Sequence, residues 1–173
     1  MGTMAKRNRW FVLEDNEEML TELKELGKEL GSEPITARSI EAAVEVTNEH
    51  SDKICLAFID MMVPKSEADL LKLDQLMQDR AEWSAGEPGV CRRIREIDAE
   101  IPPLIDLHGG LNFLRGISEE KIKHWKVYLF SSRTPTAIER NHKGLSHLHI
   151  VKWLAKPVDD DLLFELIREH IKQ

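Results

Sequence analysis

Six apolar residues in a row, Ile54-Cys55-Leu56-Ala57-Phe58-Ile59, end abruptly in Asp60. The run reads as a buried β-strand. A carboxylate at the end of such a strand is costly unless something neutralises it. Two further strand-like runs end in matching chemistry: Trp10-Phe11-Val12-Leu13 leads into Glu14-Asp15, and His149-Ile150-Val151-Lys152-Trp153-Leu154-Ala155 leads into Lys156-Pro157. In an open parallel α/β sheet, ligands bind outside the carboxyl ends of the strands. The three runs therefore predict one sheet edge that carries three carboxylates and one ammonium. Carboxylates that close repel one another. A divalent cation, helped by the lysine, resolves that repulsion.

Between these runs strand and helix signals alternate, which points to βα units and a parallel sheet. Strand one is about 9–13. Met19, Leu20, Leu23, Leu26 and Leu30 follow at helical spacing, and Gly31 is a suitable stop. A short strand near 35–37 precedes a second helix that Ser39 can cap. Strand three is 54–59, strand four 126–130 and strand five about 149–155. A last helix carries Leu162, Leu163, Leu166, Ile167 and Ile171, and Asp159-Asp160-Asp161 suits the positive end of its dipole.

The stretch from Lys65 to Leu107 is too long for an ordinary α/β connection. Residues 68–83 read as a helix with Leu70, Leu73, Leu76, Met77 and Ala81 on one stripe, and 90–97 read as another, ended by Pro102-Pro103. The segment holds six basic and ten acidic residues, a net charge of −4 against −7 for the whole chain.

Bulk properties narrow the function. At 173 residues the chain suits one domain with a full core, here 9–173 after a polar, basic extension at 1–8. A net charge of −7 argues against non-specific binding to nucleic acid or an anionic membrane. No apolar run approaches the roughly 20 residues of a membrane span, and no signal-peptide pattern opens the chain. A cytoplasmic protein is expected, with Cys55 and Cys91 as buried reduced thiols. No Gly-x-x-x-x-Gly-Lys-Ser/Thr loop and no Cys/His metal spacing occurs. His147 and His149 alternate around Leu148, but no third ligand accompanies them, so they read as strand-edge residues. His108-Gly109-Gly110 reads as a turn.

The motifs, in order, resemble the receiver domain of two-component response regulators. Glu14-Asp15-Asn16 resembles the acidic pair after strand one, and Asp60-Met61-Met62-Val63-Pro64 the phosphoacceptor segment after strand three. Ser131 stands where the family has Ser or Thr, and Trp153-Leu154-Ala155-Lys156-Pro157 resembles the strand-five signature. Asp15 and Asp60 are 45 positions apart, and Ser131 and Lys156 are 25 apart, both near the family's separations. Asp60 and Ser131 are 71 apart, roughly 40 more than this doubly wound fold needs. Two segments compete for the family's Gly-Leu-x-x-Leu-Arg opening of helix three: Gly89-Val90-Cys91-Arg92-Arg93-Ile94-Arg95 and Gly110-Leu111-Asn112-Phe113-Leu114-Arg115. The second, 21 positions before Ser131, is favoured.

The resemblance implies a flavodoxin-like, doubly wound five-stranded parallel sheet of order 2-1-3-4-5, with a largely helical insertion at about 65–107 between strand three and helix three. It implies that Asp60 accepts a phosphoryl group while Mg²⁺ is held by Asp15, Asp60, Glu14 (directly or through water) and the Met62 carbonyl. Lys156 would pair with Asp60 and then with a phosphoryl oxygen. Ser131 would donate to the aspartyl phosphate, and Trp153 would turn toward the space vacated. Pro157 would be a cis-proline. Family switch aromatics are usually Tyr or Phe, so the indole is a departure. The partners implied are a histidine kinase or phosphotransfer protein and a downstream protein, with a homodimer as a further possibility. Because no output module follows the last helix, a stand-alone signalling receiver that is not an enzyme is expected. Two alternatives remain: an adaptor that binds partners regardless of phosphorylation, and a metal-dependent phosphohydrolase. The latter usually needs a second acid two residues after the nucleophile, where this chain has Met62.

Overall fold

The computed structural model describes residues 9–83, 89–132 and 150–171. In chain order the elements are β1 (Arg9–Leu13), α1 (Glu17–Glu29), β2 (Ile35–Ala37), α2 (Ile40–His50), β3 (Ile54–Asp60), β4 (Val63–Pro64), α3 (Glu67–Glu82), α4 (Val90–Glu100), β5 (Ile105–Asp106), α5 (Gly109–Gly116), α6 (Glu119–Ile122), β6 (Lys126–Ser131), β7 (Ile150–Ala155) and α7 (Asp160–Ile171). β1, β2, β3, β6 and β7 form a parallel sheet in the order β2-β1-β3-β6-β7. This is the 2-1-3-4-5 order expected. Among the described residues no helix is long and apolar enough to cross a membrane.

Side chains alternate between faces along each strand, so each face builds its own core. Trp10, Val12, Leu56, Phe58, Tyr128 and Phe130 cluster with Leu20 and Leu23 of α1 and Leu163 and Ile167 of α7. Phe11, Leu13, Ala57, Ile59, Val127 and Leu129 cluster with Ala43 of α2 and Leu111, Phe113 and Leu114 of α5. The apolar run of β3 is continuous because both of its faces are covered. Phe58 sits at its centre, with no solvent exposure and its ring stacked on Phe130 at 5.4 Å. Truncating such a side chain to alanine costs about 3–5 kcal/mol.

Local signals set the helix ends. The Asn16 side chain accepts from the amides of Glu18 (2.9 Å) and Met19 (3.2 Å), capping α1. Gly31, at φ +70°, takes the left-handed conformation that ends it. Ser39 caps α2, and Ser66 caps α3.

The connection from β3 to β6 makes an excursion. β4 and β5 pair antiparallel, Val63 with Asp106 and Pro64 with Ile105, and close its base. Beyond them α3 and α4 form a hairpin around its own small core of Leu73, Leu76, Ile97 and Leu104. Ion pairs Arg80–Asp98 (2.8 Å) and Lys72–Glu100 (3.3 Å) flank that core. After β5 the chain returns through α5, which packs against the sheet beside α2.

Several expectations need correction. Met77 and Ala81 lie on the apolar stripe drawn for α3, yet both are exposed, Met77 at 50%. A two-helix hairpin gives α3 one helical partner, which covers a narrower stripe than a sheet does. Cys55 is half-buried and Cys91 is exposed on the outer side of α4, and neither is in a disulfide. His108-Gly109-Gly110 is not a free turn, because Gly109 and Gly110 are the first residues of α5. His147 and His149 lie outside the described residues.

Candidate metal and phosphoacceptor site

Because the five main strands run parallel, their carboxyl ends share one edge. Glu14 follows β1 and extends the ladder through its amide, which donates to the Ala37 carbonyl at 3.1 Å. It is fully buried. Asp60 is the last residue of β3 and is 5% exposed. Lys156 follows β7, and its amide donates to the Ser131 carbonyl at 3.0 Å. The Lys156 Nζ donates to Glu14 Oε2 and to Asp60 Oδ2, each at 2.7 Å. The second oxygens are also engaged: Glu14 Oε1 accepts from the Asn16 amide, and Asp60 Oδ1 from the Met62 amide, both at 3.2 Å.

Asp15 completes the cluster. Carboxylate oxygens of Glu14, Asp15 and Asp60 lie within 4.8 Å of one another. Burial, and then the charge of Asp60, push the Glu14 carboxyl up from its ordinary 4.5 to about 7, against the opposing pull of Lys156. Burial and Asp60 likewise raise Asp15. For Lys156, burial alone would lower the ammonium's pKa, but Asp60 and Glu14 outweigh it and raise it. The lysine therefore stays charged, and one ammonium faces three carboxylates. An all-oxygen donor set with surplus negative charge fits a hard divalent cation such as Mg²⁺.

The remaining predicted residues lie on or next to β3, β6 and β7. Met62 follows Asp60 by two positions and is half-buried. Ser131 is the buried last residue of β6 and lies in register with Ala155. Trp153 pairs in register with Leu129 and packs, half-buried, against the core on the α2 and α5 side of the sheet. The Lys156–Pro157 peptide bond is cis. Beside Lys156, Met19, Leu23, Leu26, Val158 and Leu163 line a groove of about 430 Å³ between α1 and α7.

Two contributors escaped the sequence reading of the site. Gly110, the first residue of the Gly-Leu-x-x-Leu-Arg pattern, abuts Asp60. A Cβ on it would lie 2.2 Å from the Asp60 carbonyl oxygen, and its amide donates to the Met61 carbonyl at 3.3 Å. Arg38 follows β2. Its Nε and Nη2 donate to the Asp15 carbonyl at 3.0 and 2.8 Å. Its Nη1 and Nη2 donate to the Asp74 carboxylate of α3 at 3.0 and 2.8 Å. A signal for Arg38 was present, because it stands at the carboxyl end of a parallel strand as the other site residues do.

No family model and no curated protein matches the sequence. Solved structures do match its fold. They include a response regulator from Thermotoga maritima, 16% identical, covering 95% of this chain and 98% of that one, with a TM-score of 0.54. A two-component response regulator from Clostridium difficile is 13% identical over 96% of this chain and 97% of its own, at 0.51. The receiver domain of the Francisella response regulator 1452 is 15% identical over 95% and 97%, also at 0.51. The chain has the fold of response-regulator receiver domains.

Proposed function

We propose that this chain is a phosphoryl-accepting receiver in a two-component relay, with Asp60 as the acceptor. The observation that carries the proposal is the Lys156 ammonium held between Asp60 and Glu14, with Asp15 beside them. A carboxylate attacks phosphorus only where the charge on the phosphoryl oxygens is masked. Mg²⁺, when bound by Asp15, Asp60, the Met62 carbonyl and Glu14 (directly or through water), supplies that masking.

The chain's own groups do the rest. A carboxylate oxygen of Asp60 attacks the phosphorus of a phosphohistidine on a histidine kinase or phosphotransfer protein. The O–P bond forms as the P–N bond breaks, and the electron pair stays on the imidazole nitrogen. Lys156 then pairs with a phosphoryl oxygen. The Ser131 hydroxyl donates to another, and Trp153 turns toward the space this opens, which is the local event that biases a two-state element. The signal leaves by protein–protein contact, with a downstream protein or a second copy of the chain. No turnover of an external phosphate ester is part of this reading.

The test is incubation with acetyl phosphate and Mg²⁺, read by intact mass. Wild type should gain one phosphoryl group, and Asp60→Asn none. Labelling that persists in Asp60→Asn, or proceeds equally with chelator present, overturns the assignment.

A second reading is a phosphorylation-independent adaptor. The observation in its favour is the exposure of Leu71 (69%) and Met77 (50%) on α3. Asp60→Asn separates the two: an adaptor keeps its partner, and a switch does not.

A further inference from the structure

The guanidinium of Arg38 joins two parts of the molecule that the sequence does not connect. One edge of its planar fork, Nε and Nη2, is given to the main-chain carbonyl of Asp15. The other edge, Nη1 and Nη2, is given to the carboxylate of Asp74 in the α3–α4 hairpin. A guanidinium engaged along both edges is fixed in orientation, which an ammonium with three rotatable donors cannot match. The side chain is 25% exposed, so these bonds are partly shielded from water. Glu17, at 3.8 Å from Nη1, is a more distant neighbour.

The residues after Arg38 are tied to the same helix. The Ser39 hydroxyl donates to Glu67 Oε1 at 2.5 Å. The Glu41 amide donates to the Lys65 carbonyl at 3.1 Å, and the Glu67 amide to Glu41 Oε2 at 3.0 Å. The start of α2 and the start of α3 therefore hold each other, and Arg38 extends that junction to the acidic loop.

We infer that Arg38 is a positioning residue for the cation site, clamping the Asp15 main chain to Asp74 so that the α3–α4 hairpin sets how tightly the acidic cluster binds a divalent cation. The inference rests on the reading above that Glu14, Asp15 and Asp60 hold that cation. It names an outer partner of one ligand, and loss of such partners typically weakens metal binding 10- to 100-fold.

Plain electrostatics predicts the opposite sign. Arg38 is a positive charge beside an acidic cluster, so removing it should strengthen cation binding if charge were all that mattered. If it positions Asp15, removing it weakens binding. Arg38→Lys sharpens the contrast, because the charge stays and the fork is lost.

The experiment measures the Mg²⁺ dissociation constant of the full chain by calorimetry, alongside the Mg²⁺-dependent rise in melting temperature. Arg38→Met and Arg38→Lys should each raise the constant by about tenfold or more. Asp74→Asn should raise it less, and should add nothing in the Arg38→Met background if Asp74 acts through Arg38. If Arg38→Met fails to fold, Arg38→Lys decides. Binding by Arg38→Lys equal to wild type, or by Arg38→Met equal or tighter, overturns the inference, as does an Asp74→Asn effect undiminished without Arg38. Wild type that binds no Mg²⁺ and accepts no phosphoryl group instead overturns the proposed function, and the inference falls with it.

Discussion

Lys156 Nζ lies 2.7 Å from Asp60 Oδ2, across 96 positions of sequence. The contact exists because β3 and β7 lie on either side of β6 and end at the same edge. Lys156 also holds the fully buried Glu14 at 2.7 Å, so one ammonium keeps two carboxylates together.

Replacing Lys156 with Met should therefore destabilise the fold, because it leaves two carboxylates without their cation. Removing one partner of a buried ion pair costs about 3–5 kcal/mol. The loss should be largest at pH 8 and smaller near pH 5.5, where Glu14 takes up a proton and the repulsion falls. Urea unfolding of the variant and wild type at the two pH values checks this. A cost independent of pH would show that the carboxylates are not what Lys156 neutralises.

Glu14 should impose an unusual pH dependence. Its carboxyl titrates at about 7 in the fold against an ordinary 4.5, through burial and the charge of Asp60. Between those values the folded state binds more protons than the unfolded state. The contribution of Glu14 to stability is thus greatest at low pH and is lost as pH rises toward 7, at up to about 1.4 kcal/mol per pH unit. Glu14→Gln should remove that slope and leave the apo protein more stable than wild type at pH 8. Mg²⁺ affinity of the wild type should run the other way, rising toward pH 7 as the carboxyl ionises. Denaturation curves without metal, taken as wild type minus variant across pH 5–8, read the slope directly. A difference that grows in favour of wild type with rising pH would reverse the assignment.

Gly110 should tolerate no side chain. The Cβ of alanine would fall 2.2 Å from the Asp60 carbonyl oxygen, so either α5 or the end of β3 must move. Overpacking of this kind costs about 1–3 kcal/mol, and a displaced Asp60 should also slow labelling by acetyl phosphate. Gly116, at the other end of α5, has no neighbouring atom within 4 Å of such a Cβ. Gly116→Ala should be neutral or stabilising by about 0.5 kcal/mol. The pair separates a close approach from a general effect of adding alanine. Equal melting temperatures and labelling rates for the two variants would remove Gly110 from the site.

How much of this was legible depended on where each signal sat. Asp60, Glu14 and Lys156 could be placed together because each closes an apolar run, and parallel strands bring such ends to one edge. The continuous run 54–59 marked a strand covered on both faces, as the two cores flanking β3 show. Arg38 was harder to see. β2 is three residues long and carries no apolar run to announce its end. Its partner Asp74 stands 36 positions away on a helix whose docking the sequence does not specify. Met77 misled for a related reason, since a helical stripe says that a face is apolar but not how much of it a single partner helix covers.

The hairpin itself should be separable from the sheet. Its core of Leu73, Leu76, Ile97 and Leu104 is distinct from both clusters that pack the sheet, and β4 and β5 close its base. Replacing residues 66–103 with a short Gly-containing turn should leave the sheet folded. Shortening the loop recovers about 2 kcal/mol of closure entropy, which offsets part of the lost Ser39–Glu67 and Arg38–Asp74 contacts. Because Asp74 is removed, Mg²⁺ binding should weaken, as expected for Asp74→Asn. If the exposed Leu71 and Met77 form a docking or dimer surface, the variant should also lose its partner or change its oligomeric state. If the hairpin shields the aspartyl phosphate from water, the lifetime of that phosphate should shorten. Circular dichroism, sedimentation and the decay of the labelled mass read these outcomes separately. A variant unchanged in phosphate lifetime, oligomeric state, partner capture and Mg²⁺ affinity would make the hairpin a tolerated surface excursion, one that long loops permit at little entropic cost.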